Sequence, residues 1–405
     1  MFSSVGLSGI TAAAQALDLA GHNISNASTT GYKQHSLNFT DMVIVGGRGG
    51  LSVGSGVQVA GGTQTFSQGS INTSSNALDC AITGPGFFRM SDPDNGTISY
   101  SRNGAFRLDA NNHLVNASGQ QLTGLNAIDG VLIGGTPQPL QISATSTLAT
   151  VTTKGVANIN IDAGSTIPTT STFSPTASDS YNYSTGFTSY NGQGAEHITT
   201  LYFKKTAEDT WNVYSTTALA SSTEIPTQFS SHGVIGFNDD GSLSAPKSLS
   251  PVVINTNGDT ADIDISAMTQ TASGNYQISF TQDGKAAGIL TGFNIGKDGN
   301  IYGTYTNGES NVVLGQVSLA NFTDPTGLKE IGNSSWIETA ASGVPSLGTP
   351  GVGTLGSIQS FALEQSNVDM TAELIGLMAA QRLYQANAQT IKAQDQVAQT
   401  TVNMS

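Results

Sequence analysis

The chain has 405 residues, 41.5 kDa, a formal net charge of −14, only 10% charged side chains and 48 glycines. That balance excludes the basic footprint a nucleic acid or an anionic membrane would require. The single cysteine, Cys80, excludes an intrachain disulfide and a thiolate metal cage, and reads as a small buried apolar residue. No apolar run reaches the ~18 residues that would span a bilayer, so no membrane insertion is expected.

Residues 1–30 repeat Phe2, Gly6, Ile10, Ala13, Leu17, Ala20 and Ile24 in steps of three and four, which keeps one apolar stripe along a helix. Asp18 is the only ionisable side chain before His22. Ser25, Asn26, Ser28, Thr29, Thr30 and Gly31 then compete for the backbone and end the helix. A basic n-region and an unbroken h-region are both lacking at this end, so no cleavable secretory signal is expected. Residues 31–75 read as a glycine-rich connector, with one short strand at 42–45 and the remainder a loop or irregular hairpin.

From 76 to 143, short alternating runs are punctuated by turn residues such as Asn95-Gly96 and Asn103-Gly104, the pattern of hairpins. Residues 144–282 are rich in Thr and Ser, with alternation at 197–204 and 211–215 and loops expected at 169–178 and 215–223. The hairpin style returns over 283–363, including a long strand expected at 312–322.

The last stretch, 366–402, has no Pro and one Gly, Gly376. Met370, Leu374, Leu377, Gln381, Tyr384, Ala388, Ile391, Asp395, Ala398 and Val402 follow a seven-residue period, which favours a left-handed coiled-coil seam. Ser366 and Asp369 suggest a capping box at its start. Gln381 and Asp395 interrupt the seam: either the stripe drifts and they stand at its edge in water, or they pin register and partner number.

Two seamed helices at opposite ends can meet only if the middle of the chain returns to its start. The expected fold is therefore mainly β with α-helical termini, the N- and C-terminal helices forming a coiled coil that carries two nested all-β domains. The expected limits are 1–30 with 364–405 for the helical pair, 31–75 for the connector, 76–143 with 283–363 for an inner β domain, and 144–282 for an inserted outer β domain. The assembly interface is assigned to Phe2, Ile10, Ala13, Leu17, Ile24, Met370, Leu374, Leu377, Tyr384, Ile391 and Val402.

No catalytic, cofactor or metal site emerges. Gly50-Leu51-Ser52-Val53-Gly54 fits Gly-x-Ser-x-Gly, but the chain after it is not helix-like, as a nucleophile elbow requires. His22, His35, His113, His197 and His232 read as surface or capping residues. Asp92-Pro93-Asp94-Asn95-Gly96 lacks the downstream Glu of a calcium loop.

Several motifs nevertheless carry a resemblance. Leu7-Ser8-Gly9-Ile10, the run from Leu17 to Asn26 and Thr30-Gly31-Tyr32-Lys33 resemble the N-terminal motif of bacterial flagellar axial proteins of the rod and hook. Ser366-Asn367-Val368-Asp369, Gln381-Arg382, Tyr384-Gln385, Asn387, Thr390-Ile391 and Asp395-Gln396 are similar to the matching C-terminal motif. Gly86-Phe87-Phe88, the run from Ser101 to Asp109, and Leu114-Val115-Asn116 with 119–124 resemble the β domain that this family shares. His22 stands where the family usually has Asn. Length and the inserted block bring the likeness nearer to hook members than to rod members. The resemblance implies a structural subunit that leaves the cell through the flagellar type III export apparatus. It also implies assembly with copies of itself beneath a hook cap protein into an extracellular curved tube. That tube would join rod proteins to the hook–filament junction proteins and transmit torque as a universal joint. A distal-rod or hook-associated role is the nearest alternative. A secreted β-rich adhesin, or a serine hydrolase using Ser52, are readings from other classes.

Overall fold

The computed structural model describes residues 2–44, 53–128, 130–142 and 147–404, with side chains not described at 2–4, 44, 53, 55 and 401–404. The chain divides into two compact units, one of Met1–Ser143, Gly292–Gly303 and Asn311–Ser405, the other of Ala144–Thr291 and Thr304–Ser310. It is mainly β, with long helices at the two ends: α1, Phe2–Ser25, and α2, Met370–Met404.

In the first unit, strands Phe87–Ser91, Ile98–Ser101 and Gln121–Ile128 form an antiparallel core sheet, with Phe88 opposite Ser101 and Met90 opposite Leu122. Later segments complete it: Val317 stands opposite Gly124, Ala320 opposite Phe87, and Trp336 opposite Tyr100. Phe87, Tyr100, Ala320, Phe322, Leu328 and Trp336 make one buried cluster, with Phe66 packed against it. The aromatic rings meet edge to face, at 5.8 Å for Phe87 and Trp336 and 5.4 Å for Phe66 and Trp336, the arrangement their quadrupoles favour. The expected long strand at 312–322 is two strands, Val312–Val317 and Leu319–Asn321. The break lets one run serve two different partners, Gln121–Ile128 and then Phe87–Ser91.

Two short pairings bring the ends of the chain together. Ile71–Thr73 pairs with Ala362–Glu364, and Cys80–Thr83 pairs with Ser357–Ser360. Cys80 is 1% exposed, and burial pushes its thiol up to about 12, which leaves it a packing residue. The segment read as a connector folds as a long hairpin, β1, His35–Ile44, against β2, Val53–Gln64. Its glycines obscured the alternation: the register shifts at Asn38/Phe39 and Met42/Val43, where β2 supplies Gly61 to Val59 and Gly56 to Gly54.

In the second unit, one sheet is built around Lys154–Asp162, with Thr260–Asp264 and Thr269–Thr271 running parallel to it and Tyr276–Gln282 antiparallel. The other sheet takes Tyr183–Tyr190, Glu196–Ala207, Thr210–Leu219, Ser230–Phe237 and Leu243–Ala245 in simple sequence order. Ile159, Ile161, Leu201, Phe203, Trp211, Val213 and Ile263 fill the core shared by both sheets, and Trp211 Nε1–H donates to Gln270 Oε1 at 2.9 Å. The loop expected at 215–223 is strand as far as Leu219. Its hydroxyl side chains are compatible with the sheet because Thr217 Oγ1 donates to the Val253 carbonyl at 2.6 Å.

His197 corrects the expectation that every histidine is a surface or capping residue. It is 2% exposed, and neither ring nitrogen has a partner among the described residues. Half-buried His232 sets its Nε2 2.7 Å from Ser215 Oγ. Burial holds both below the ordinary value of 6.5. The unfolded chain therefore takes up protons at higher pH than the fold, so these histidines cost the fold nothing above about pH 6.5 and destabilise it increasingly as pH falls below that value. Thermal unfolding of the second unit should move to lower temperature on acidification through that range. His197→Gln should flatten the dependence, and an unchanged slope would count against His197 as its source.

Candidate assembly surface at the paired ends of the chain

Helices α1 and α2 pack together, and small residues on α1 set how closely. A Cβ placed on Gly6 would stand 2.8 Å from Ile391 Cγ1, and one on Gly9 would stand 2.7 Å from the Asn387 side-chain nitrogen. Ala13 and Ala20 continue this buried side, at 5% and 6% exposure. The hairpin runs beside the same helix, with Val57 N–H donating to Ser8 Oγ at 3.3 Å.

The N-cap of α2 is Asp369 rather than Ser366: its Oδ1 accepts from the Thr371 and Ala372 amides at 2.9 and 3.1 Å. Ser366 instead accepts from the Val368 amide in the approach to the helix.

Two polar knots hold the helix ends. In the first, Asn23, 1% exposed, donates through Nδ2 to the His35 carbonyl at 2.8 Å and to Glu373 Oε1 at 2.9 Å. Its Oδ1 accepts from the Tyr32 hydroxyl and the His35 amide. Gln34 Nε2 adds a second donor to Glu373 Oε1, and Asn367 Oδ1 accepts from the Gln34 amide. The end of α1 is thus tied to the start of α2. His22 places Nδ1 2.9 Å from the Tyr32 hydroxyl at the rim of this knot.

The second knot is ionic and buried. Lys33 Nζ lies 2.7 Å from Glu364 Oε1, and Arg102 Nη1 lies 3.1 Å from Glu364 Oε2, with Lys33 and Glu364 side chains fully buried. Lys33 Nζ also donates to the Ser67 carbonyl, Arg102 Nη2 to the Gly84 carbonyl, and the Gly69 amide to Glu364 Oε1. Burial pulls both cations below their ordinary pKa ranges, against the opposing pull of Glu364. Gly31 closes the corner: its φ is +69°, and a Cβ there would meet the Asn103 backbone nitrogen at 2.6 Å. One carboxylate thus gathers the N-terminal segment, the exit of the hairpin, the core sheet and the approach to α2.

The residues assigned to assembly fall in several places. Ala13 is buried, and Ile10, Leu17, Ile24, Leu377 and Ile391 are half-buried, Ile391 against Gly6. Met370, Leu374 and Tyr384 are exposed, at 47%, 47% and 41%. Phe2 and Val402 lie on the helices, but their side chains are outside the described residues. Gln381 and Asp395 are exposed. Ser52 lies outside the described residues, and strand Val53–Gln64 follows it where a nucleophile elbow would need a helix.

Further apolar side chains stand in solvent on the same elements: Ile375 at 58%, Met378 at 49% and Leu383 at 59% on α2, Leu7 at 59% on α1, and Phe39 at 47% with Val43 at 49% on β1. Asn23, Lys33, Arg102, Glu364 and Glu373 were missed by the reading from sequence. For Asn23 and Lys33 the available signal was a polar residue inside the N-terminal motif that belongs to no apolar stripe, and Arg102 lies within the β-domain motif; Glu364 and Glu373 fall outside the quoted motifs and carried no such signal.

The chain pairs helices at its two ends around β-rich units, and four family profiles of flagellar axial proteins match along it in order. They are the flagella basal body rod protein over residues 4–33, the flagellar hook protein FlgE/F/G D1 domain over 81–165, the flagellar basal body protein FlaE D2 domain over 158–285, and the flagellar basal body rod FlgEFG protein C-terminal over 359–404. The chain is 40% identical to the flagellar hook protein FlgE of Salmonella typhimurium, with both chains covered in full, and 38% identical to that of Escherichia coli K12, also in full. The Helicobacter pylori flagellar hook protein FlgE2 shares the fold at a TM-score of 0.52 and 15% identity, over 73% of this chain and all of that one. This chain belongs to the flagellar hook protein family and is a structural subunit of the hook.

Proposed function

We propose that the subunit polymerises through the solvent-facing apolar side of α2, together with the exposed residues of α1 and β1, into a flexible curved tube that transmits torque from rod to filament. The observation that carries this reading is the double use of α2. One side rests on α1, while Leu374, Ile375, Met378 and Leu383 remain uncovered. Covering each such side chain contributes about 1.5–3 kcal/mol, and a helical polymer repeats that gain at every subunit. Polar β surfaces make wetter and less specific contacts, so neighbours can slide there while the apolar inner contacts stay stiff. The subunit works by packing rather than catalysis. Its partners are copies of itself and the rod, cap and hook–filament junction proteins, and it leaves the cell through the type III apparatus without a cleaved signal.

Leu374→Asp combined with Met378→Asp should leave the α1–α2 pair helical by circular dichroism yet reduce sedimentable polymer to near background. Polymer at wild-type yield would defeat the proposal. Removing residues 144–282 separates the hook reading from a distal-rod one. A rod-like subunit should still form straight tubes that support motility, whereas a hook subunit should lose normal curvature.

A further inference from the structure

The sequence contains five Asn–Gly pairs, at Asn95, Asn103, Asn191, Asn257 and Asn307. This is the dipeptide in which a backbone nitrogen can approach the preceding side chain with no Cβ in the way. The fold treats them unequally. Asn307 is held at both ends, its Nδ2 donating to the Ala286 carbonyl and Glu309 Oε2 and its Oδ1 accepting from the Glu309 amide. Asn191 is 6% exposed and accepts from the Gln193 and Ala195 amides. Asn103 accepts from the Ala105 amide, and Gly104 is pressed against the Cys80 carbonyl, which a Cβ would meet at 1.7 Å. Asn95 is exposed, but its Oδ1 accepts from the Thr97 amide at 2.8 Å and the Gly96 amide is engaged with the Asp92 carbonyl at 2.9 Å.

Asn257 differs from all four. It is exposed, and its side chain makes no hydrogen bond with any described residue. The Gly258 amide reaches only the Asn255 carbonyl, at 3.3 Å, and the space beside Gly258 is open, as it also is beside Gly96, Gly192 and Gly308, so the unbonded side chain is what sets Asn257 apart.

We propose that Asn257 is a spontaneous modification site, converting to aspartate and isoaspartate in the folded protein ahead of the other four. The Gly258 nitrogen attacks Cγ of Asn257. An N–Cγ bond forms, the Cγ–Nδ2 bond breaks, and Nδ2 departs as ammonia with the proton from the Gly258 amide. Water then opens the cyclic imide at either carbonyl, giving aspartate or isoaspartate, with no oxidant or reductant involved. The new carboxylate makes the chain one unit more negative than −14. It arises two residues before Asp259, whose Oδ2 accepts from Asn255 Nδ2 at 2.6 Å within this turn. The turn joins Ser248–Val253 to Thr260–Asp264, and isoaspartate lengthens its backbone by one carbon.

The test is peptide mapping of the full chain aged at mildly alkaline pH in heavy-oxygen water, folded and in urea. In the folded protein, conversion at Asn257 should run about tenfold or more ahead of the other four, which must wait for local opening. In urea the five rates should converge. Conversion at Asn95 as fast as at Asn257, or one common rate for all five in the folded chain, would overturn the proposal. Asn257→Gln should abolish the fast phase and leave the slow sites unchanged; a fast phase that persisted would do the same damage.

Discussion

Glu364→Gln should destabilise the first unit by about 3–5 kcal/mol, because it leaves Lys33 and Arg102 buried without a counter-charge. The size follows from the absence of an escape route. Lys33 and Arg102 are 0% and 3% exposed, so neither cation can turn to water without opening the corner that Gly31, Ser67 and Gly84 enclose. The neutral amide keeps the volume and one acceptor, but it removes the charge and turns the other oxygen, which accepts from a buried cation, into a donor. Urea unfolding read from Trp336, which is fully buried in this unit, gives the measurement. A midpoint within error of wild type would mean that the triad is electrostatically idle. The triple variant with Lys33, Arg102 and Glu364 all changed to Met should unfold closer to wild type than the single variant does. Removing a whole ion cluster avoids the penalty of stranding its members.

That triad also marks where reading the sequence stopped. Lys33, Arg102 and Glu364 lie far apart along the chain, and an isolated charge in a polar stretch is most often a solvated one. Only the closure of the fold turns the three into neighbours. The helices at both ends were legible because a three-and-four rhythm needs only local sequence, and on α1 the stripe through Gly6, Ala13 and Ala20 is the buried side. On α2, counting apolar residues selects Met370, Leu374 and Tyr384, which stand in solvent in the single chain, while the side toward α1 includes Asn387 opposite Gly9. A Gly- and Ala-lined partner permits close approach and accepts a polar side chain at its edge, so the two helices match by size more than by hydrophobicity. The hairpin in residues 31–75 could be read only as a loop or an irregular hairpin, for the opposite reason. Glycine-rich strands carry little alternation, and their pairing is set by the opposite strand.

Ile391→Asp should separate the helices and abolish polymer formation together, unlike the paired changes at Leu374 and Met378, which spare the monomer. Ile391 fills the space over Gly6, where any side chain on α1 would collide with Cγ1 at 2.8 Å. An aspartate there forfeits about 1.5–3 kcal/mol of apolar contact and places a charge facing a helix backbone with no cation on α1 to receive it. Helices of this kind depend on packing rather than propensity, and α1, with three glycines in its 24 residues, has little tendency to persist alone. The polar knot at Asn23 and Glu373 lies near the start of α2, so the loss should begin at the distal half of the pair. Amide exchange should therefore accelerate around Gly6 and Gly9 while remaining slow at Asn23. Circular dichroism should show a drop in helix with the β signal intact, and sedimentation should find no polymer. Gly6→Leu should do the same from the other side by steric exclusion. Should Ile391→Asp retain wild-type helix content and polymer yield, contact between α1 and α2 would not be what presents the outer apolar side of α2 to neighbouring subunits.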